Sequence, residues 1–405
     1  MKSLHVNYFE KKGGAAISFK RLVEALKENQ HETDTLTFEK YITENYKNKK
    51  FRRFINLYDH KVKKYLSIQI KKVLGSENIY KDSINYFSSN LHKYILNSEF
   101  DIINYHWIND EMISIEELTK IKKPSVWTFV DMWPFIGAEH YTSKYYFKNS
   151  NSEKISLLSK WLMNRKKKIF DNNINIVCIS EWLKKEALKS KLLYDKKIEC
   201  IPCTINTKKW NHVEKNICRE LLGLEKNKKY ILFSAFNGIQ DTRKGFDLLV
   251  EALKSLNIST KDYSILILGN SDGIDKYKSI FNFNHIALRN NFEGNFLPLK
   301  LYYSSADLVV VPSRLEAFGQ VALEAGACKT PSIGFDKTGL EDIIDHNLSG
   351  YLAENSSSES LGYYINKFLN EDNNMFSENI RNKIENKFSY KTVSLKYKML
   401  YEKIF

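Results

Sequence analysis

The chain has 405 residues, too many for one compact core and suited to two domains of about 150–200 residues each. With 43% hydrophobic and 27% charged residues, 6 Pro and 16 Gly, the composition is globular and excludes long disordered or low-complexity stretches. The net charge of +14 is large, and five cysteines, an odd number, argue against a disulfide framework and fit a reducing compartment.

The first apolar run covers residues 4–8. Gly13-Gly14-Ala15-Ala16 follows, then a helical pattern over residues 17–26, which predicts strand, glycine turn and helix. The first nine residues lack the apolar stretch of a secretory signal. No window approaches the roughly 18 uninterrupted apolar residues of a spanning helix. The expected location is therefore the cytoplasm. From Lys47 to Lys72 there are ten Lys or Arg against one acid, Asp59. Phe51, Phe54, Ile55, Tyr58, Val62, Tyr65, Leu66, Ile70 and Val73 recur there at helical spacing. Such a basic amphipathic helix can dock on anionic lipid headgroups, which would make the protein peripheral at the inner membrane face. It can equally pack its apolar stripe on its own domain and leave its lysines in water. A nucleic-acid face has no accompanying motif, so no nucleic-acid partner is expected.

Further apolar runs stand at residues 102–105, 125–129 and 174–179, separated by helical stretches. Cys200-Ile-Pro-Cys203 has the spacing of a redox or zinc pair. It follows an extended run and has no second pair, so it reads as chance spacing. The second half repeats the alternation: strands at 230–233, 264–268, 308–311 and 332–335, helices at 246–256 and 318–327. Alternating strands and helices predict parallel sheets, and the polar stretch 204–229 marks the joint between two doubly wound units. Ligands of such sheets bind at the carboxyl ends of the strands.

The strongest chemical signal lies behind the 308–311 strand, where Glu316 and Glu324 stand eight positions apart. Glu316 is expected in the turn and Glu324 in the helix, with Phe318, Gly319 and Gln320 at the helix start, whose unpaired N–H groups suit a diphosphate. The segment Pro312-Ser313-Arg314-Leu315-Glu316-Ala317-Phe318-Gly319, with Glu324-Ala325-Gly326 and the tail Gly339-Leu340-Glu341-Asp342, resembles the Glu-x7-Glu signature of the retaining family 4 glycosyltransferases. Asp241-Thr242-Arg243-Lys244-Gly245 is similar to that family's Arg-Lys-Gly segment, and Gly13-Gly14 to its N-terminal glycine turn. Trp127-Thr128-Phe129-Val130-Asp131-Met132-Trp133-Pro134, followed by His140-Tyr141, resembles a subgroup that builds polysaccharides of the colanic-acid type.

The resemblance implies the α/β GT-B fold, two Rossmann-like doubly wound parallel-sheet domains facing a cleft. The expected divisions are an acceptor domain over 1–205, a nucleotide-sugar donor domain over 206–385, and a helix over 386–405 that crosses back to the first. It further implies a retaining, metal-independent hexosyltransferase acting on a lipid-linked or oligosaccharide acceptor in bacterial surface polysaccharide biosynthesis. A nucleotide-diphosphate sugar is the co-substrate, with no cofactor. No Asp-x-Asp occurs in the chain, so no metal site is expected. Lys244, with Arg243, would hold the diphosphate. Glu316 and the backbone of Phe318, Gly319 and Gln320 would take the donor sugar, Glu324 the ribose, and Gly13 and Gly14 the approach of the donor. The subgroup usually carries a histidine where this chain has Val130, and that histidine faces the transferred sugar. Asp131 or His106 could take its place; the enzyme could run without the contact; or the chain is a catalytically weakened or inactive sugar-nucleotide-binding subunit.

Overall fold

The computed structural model describes residues 1–11, 13–45, 50–76, 81–141, 156–172, 174–235, 238–269, 273–277, 281, 283–286, 296–371 and 373–405. They form two compact units, Met1–Cys203 with Val393–Phe405, and Thr204–Thr392. Each is built on a parallel six-stranded sheet.

In the first unit β1 (Lys2–Asn7), β2 (Glu32–Thr37), β3 (Ile102–Tyr105), β4 (Ser125–Phe129), β5 (Asn175–Cys178) and β6 (Ile198–Cys200) run in the order β2-β1-β3-β4-β5-β6. The first crossover helix, Gly13–Glu28, begins four residues before the predicted pattern, with Gly13 itself at φ +86°. Only glycine takes that conformation without strain. This helix buries Phe19, Leu22, Val23 and Leu26. The last helix, Tyr390–Ile404, sends Val393, Tyr397, Leu400 and Tyr401 into the same core as Leu22, Leu26, Ile102, Val126 and Val177.

The long helix Lys50–Val73 departs from one of its two expected arrangements. Lys49 lies outside the described residues, and so do the side chains of Lys50, Arg52 and Arg53. Over the described part the inward face is polar: His60, Ser67 and Lys71 are buried. The apolar residues point outward, with Tyr58 63%, Tyr65 62% and Val73 85% exposed, and Leu57, Val62 and Leu66 beside them. The inner face is held by ring packing and polar contacts. His60 lies 4.0 Å from the Phe38 ring, the Tyr8 hydroxyl meets His60 Nε2 at 3.1 Å, and Lys71 Nζ donates to the Asp82 carbonyl at 2.8 Å. Among the described residues most of the stripe therefore faces outward rather than packing on its own domain. Among the described residues no helix is long and apolar enough to cross a membrane.

In the second unit β7 (Lys229–Ala235), β8 (Tyr263–Gly269), β9 (Phe283–Ile286), β10 (Leu308–Val311), β11 (Ser332–Phe335) and β12 (Gly350–Ala353) run β12-β11-β10-β7-β8-β9. Its core gathers Ile231, Phe233, Ile265, Ile267, Val310 and Ile333 with Phe246, Leu249 and Leu253 of the helix Phe246–Lys254. The order changes direction at β7 and β10, and the loops after these two strands carry the chemical groups.

Candidate active site

The loop after β7 turns through a short 3-10 helix, Thr242–Lys244, capped by the Asp241 carboxylate, which accepts from the Arg243 N–H at 3.1 Å. Gly245 then follows at φ +69°; a Cβ there would stand 1.9 Å from the Pro312 carbonyl oxygen. Glycine thus lets this loop close on the end of β10. The two loops are tied by several hydrogen bonds: Arg314 N–H to the Arg243 carbonyl at 2.9 Å, Arg243 Nη1 to the Leu315 carbonyl at 3.0 Å, and Arg314 Nη1 to the Thr242 carbonyl at 2.6 Å. The Arg314 guanidinium also forks onto the Asp247 carboxylate, with Nη1 at 2.9 Å.

This frame presents Lys244 Nζ to Glu316 Oε2 at 2.6 Å. Burial pushes the Lys244 ammonium below its ordinary value, and the Glu316 charge opposes that shift. For Glu316 burial favours the neutral acid, but Lys244 and Arg243 outweigh it and hold the carboxyl below its ordinary value. Each charge favours the ionised form of its partner, against the burial of both groups. The two side chains keep 22% and 13% of their surface exposed, and an ion pair so placed has little net stabilising worth.

The helix after β10 is Gln320–Ala327, starting two residues later than predicted. Gly319 caps it at φ +107°, and a Cβ there would meet Leu340 Cδ2 at 2.5 Å. Phe318 is buried against Phe388, so only its backbone can face a ligand. Glu324 lies in the helix with Oε2 accepting from the Tyr303 hydroxyl at 3.0 Å, while Glu316 lies in the turn. Lys244 and Glu316 are thus brought into contact, with Arg243 on the neighbouring Leu315 carbonyl; Glu324 is one helical element away, with a partner of its own.

The remaining predicted residues belong to the first unit. Asp131 is committed: Oδ2 meets His140 Nδ1 at 2.6 Å and accepts from Trp107 Nε1 at 3.0 Å, while Oδ1 caps the Trp133 N–H. His140 stacks on Trp107 and its Nε2 meets the Ser83 hydroxyl at 2.9 Å. His140 belongs to the segment that carries the resemblance, and its place just after Asp131 there is the sequence signal that marks it. Lys166, fully buried, fastens the turn after Asp131 by donating to the carbonyls of Trp133, Ile136 (3.0 Å) and Gly137 (2.7 Å). His106, just past β3, is buried and held down to about 3 by loss of hydration, hence neutral. Val130 is half-buried. Gly14 is exposed, and no atom lies within 4 Å of where its Cβ would be, so the fold itself does not demand glycine there. Among the described residues no group of three His, Cys, Asp or Glu is placed to hold a metal ion, and none of the five cysteines is in a disulfide.

Residues 12–209 match the model of Glycosyltransferase Family 4, and residues 215–386 that of Glycosyl transferases group 1. Both halves are glycosyltransferase domains. An uncharacterized glycosyltransferase of Methanocaldococcus jannaschii is 26% identical over 416 residues, covering 100% of this chain and 97% of that protein. The capsular polysaccharide biosynthesis glycosyltransferase CapM of Staphylococcus aureus is 24% identical over 53% of this chain and 58% of its own. Among solved structures, the sucrose-phosphate synthase of Thermosynechococcus elongatus superposes with a TM-score of 0.70 at 17% identity, over 100% of this chain and 99% of the other. HepE of Anabaena, solved with UDP and glucose, gives 0.62 at 13% identity over 99% of each chain. The glycosyltransferase fold is therefore GT-B, and the two stitched loops lie in its group 1 half.

Proposed function

We propose that this glycosyltransferase moves a hexose from a nucleotide-diphosphate sugar to a lipid-linked oligosaccharide, with retention and without a metal. The observation that carries the reading is the Lys244–Glu316 pair on its two tied loops. As the bond from the sugar's anomeric carbon to the diphosphate breaks, negative charge gathers on the departing oxygen. Lys244, with Arg243 beside it, is preset to receive that charge, and such preorganisation is worth more out of water. The acceptor hydroxyl attacks from the side the diphosphate leaves, its proton passing to the diphosphate. Glu316, released from Lys244 by the incoming anion, takes a sugar hydroxyl, and Glu324 exchanges Tyr303 for the ribose. The UDP found in HepE structures supports a nucleotide-sugar donor, and capsule and lipopolysaccharide relatives support a polysaccharide acceptor.

The outward apolar face of the Lys50–Val73 helix, interleaved with Lys61 and Lys72, supports peripheral docking on an anionic bilayer from the cytoplasm, where a lipid-linked acceptor would be met. Val130 favours a second reading, a sugar-nucleotide-binding subunit without turnover, since its side chain can neither donate nor accept a hydrogen bond. A panel of UDP- and GDP-sugars separates the two. Donor hydrolysis or transfer, reduced about 10²–10³-fold by Lys244→Met with the thermal melt unchanged, supports the enzyme. Donor-induced thermal stabilisation without turnover for any acceptor supports the subunit.

A further inference from the structure

A chain of hydrogen bonds runs from the last helix to His106 through six residues, none more than 3% exposed. Tyr397 Oη meets Thr128 Oγ1 at 3.2 Å; Thr128 donates to Asn104 Oδ1 at 2.9 Å; Asn104 Nδ2 donates to Tyr401 Oη at 2.8 Å. Tyr401 Oη meets His5 Nε2 at 3.2 Å, and His5 Nδ1 meets His106 Nε2 at 3.0 Å, the two rings stacked 5.3 Å apart.

The protons of this chain have one best assignment. Each hydroxyl has a single proton, and a buried donor without an acceptor costs more than almost any other defect of a polar network. If Tyr397 donates to Thr128, then Thr128 donates to Asn104, Asn104 to Tyr401, Tyr401 to His5 Nε2, and His5 Nδ1–H to His106 Nε2. Apart from the second Nδ2 proton of Asn104, which every assignment shares, the unmatched proton is then on His106 Nδ1, an atom with no hydrogen-bond partner among the described residues. Running the chain backwards strands the Tyr397 hydroxyl proton and also leaves the Nδ1 lone pair unmet. Reversing only the histidine links strands the Tyr401 proton instead. The tautomer of His106 is thus set about 300 residues away in sequence, on the last helix.

We propose that Tyr401, Tyr397 and His5 are positioning residues that hold His106 as the Nδ1–H tautomer, a hydrogen-bond donor for a hydroxyl or phosphate oxygen of the substrate. The inference rests on the transferase reading above. The His106 backbone N–H bonds the Val6 carbonyl at 2.9 Å, which sets the residue at the carboxyl ends of β1 and β3, with Phe19 edge-on against its buried ring at 5.3 Å. A neutral donor of fixed direction would orient a hydroxyl without adding charge.

Nitrogen-15 spectra of the full chain labelled at histidine read the tautomer directly, with His5→Gln and His106→Gln assigning the two signals. The expected wild-type result is one Nδ1–H form for both rings from about pH 5.5 to 8. Tyr401→Phe should give both rings as tautomer mixtures and lower kcat about tenfold with KM for the donor little changed. Tyr397→Phe, the milder variant should Tyr401→Phe not fold, should mix the tautomers to a lesser degree. An Nε2–H form of His106 in the wild type, or tautomers unmoved in both variants, overturns the chain. Mixed tautomers with unchanged kcat overturn the positioning role. Tautomers as stated in a protein that transfers no sugar support the chain and remove the transferase reading instead.

Discussion

Gly245 is the residue on which the site's geometry turns. Its φ of +69° and its contact with the Pro312 carbonyl leave no room for a methyl group. Gly245→Ala should cost about 2–4 kcal/mol, the sum of left-handed strain and overpacking. The midpoint of urea unfolding measures that loss. Because Lys244 is the neighbouring residue, transfer should fall further than stability accounts for at temperatures where the variant is still folded. An alanine variant with the wild-type urea midpoint would show that the loop closes differently. Val130 is the opposite kind of residue: its spacing in the resemblance makes it conspicuous, and nothing in its half-buried setting explains it.

At the scale of elements, the sequence reveals what is buried on both faces. The central strands β1, β3, β4, β5, β7, β8, β10 and β11 read as apolar runs. The strands that pattern alone passes over, β2 with Glu-Thr-Asp-Thr-Leu-Thr, β9 and β12, lie at sheet edges, where one side need not be apolar. The start of the Gln320–Ala327 helix was misplaced because Gly319's positive φ, not hydrophobic periodicity, decides it. Glu316, Lys244 and Arg243 were legible through short motifs. Asp241 and His140 stand within those motifs, but their pairing, like that of Asp247 with Arg314, leaves no periodic trace. The Lys50–Val73 helix was legible as amphipathic but not in its orientation, because periodicity cannot say which face meets the domain. Its outward face carries an expectation of its own: the combined Tyr58→Ser, Tyr65→Ser and Leu66→Ser variant should lose sedimentation with anionic phosphatidylglycerol vesicles while keeping its thermal melt. Equal binding by variant and wild type would remove the membrane role.

At the scale of the whole molecule, six of the nine histidines lie in the first unit. Burial lowers His106 to about 3 and His60 to about 4, and lowers His5 and His31; for His5 the neighbouring His106, His31 and Lys27 add to this, and for His60 Lys64 and Lys63 do, against Asp110 and Asp59. A folded value below the unfolded one near 6.5 means that the unfolded chain binds the extra protons. Stability is therefore whole above about pH 6.5 and falls as the pH drops toward the folded values, by about 1.4 kcal/mol per unit for each such histidine. Urea unfolding at pH 7 and at pH 5 should show the first unit weakened much more than the second. Equal losses in both units would contradict the neutral burial of these rings.

The first unit's core is completed by Val393, Tyr397, Leu400 and Tyr401. During synthesis these residues emerge from the ribosome after the whole of Thr204–Thr392. The half made first must therefore wait, with Leu22, Ile102 and Val177 uncovered, until residues 393–405 are made, while the half made second can close as soon as its own chain is out. A chain broken off near residue 390 would spare the group 1 half and leave the other without its final layer, exposed to chaperones and proteases.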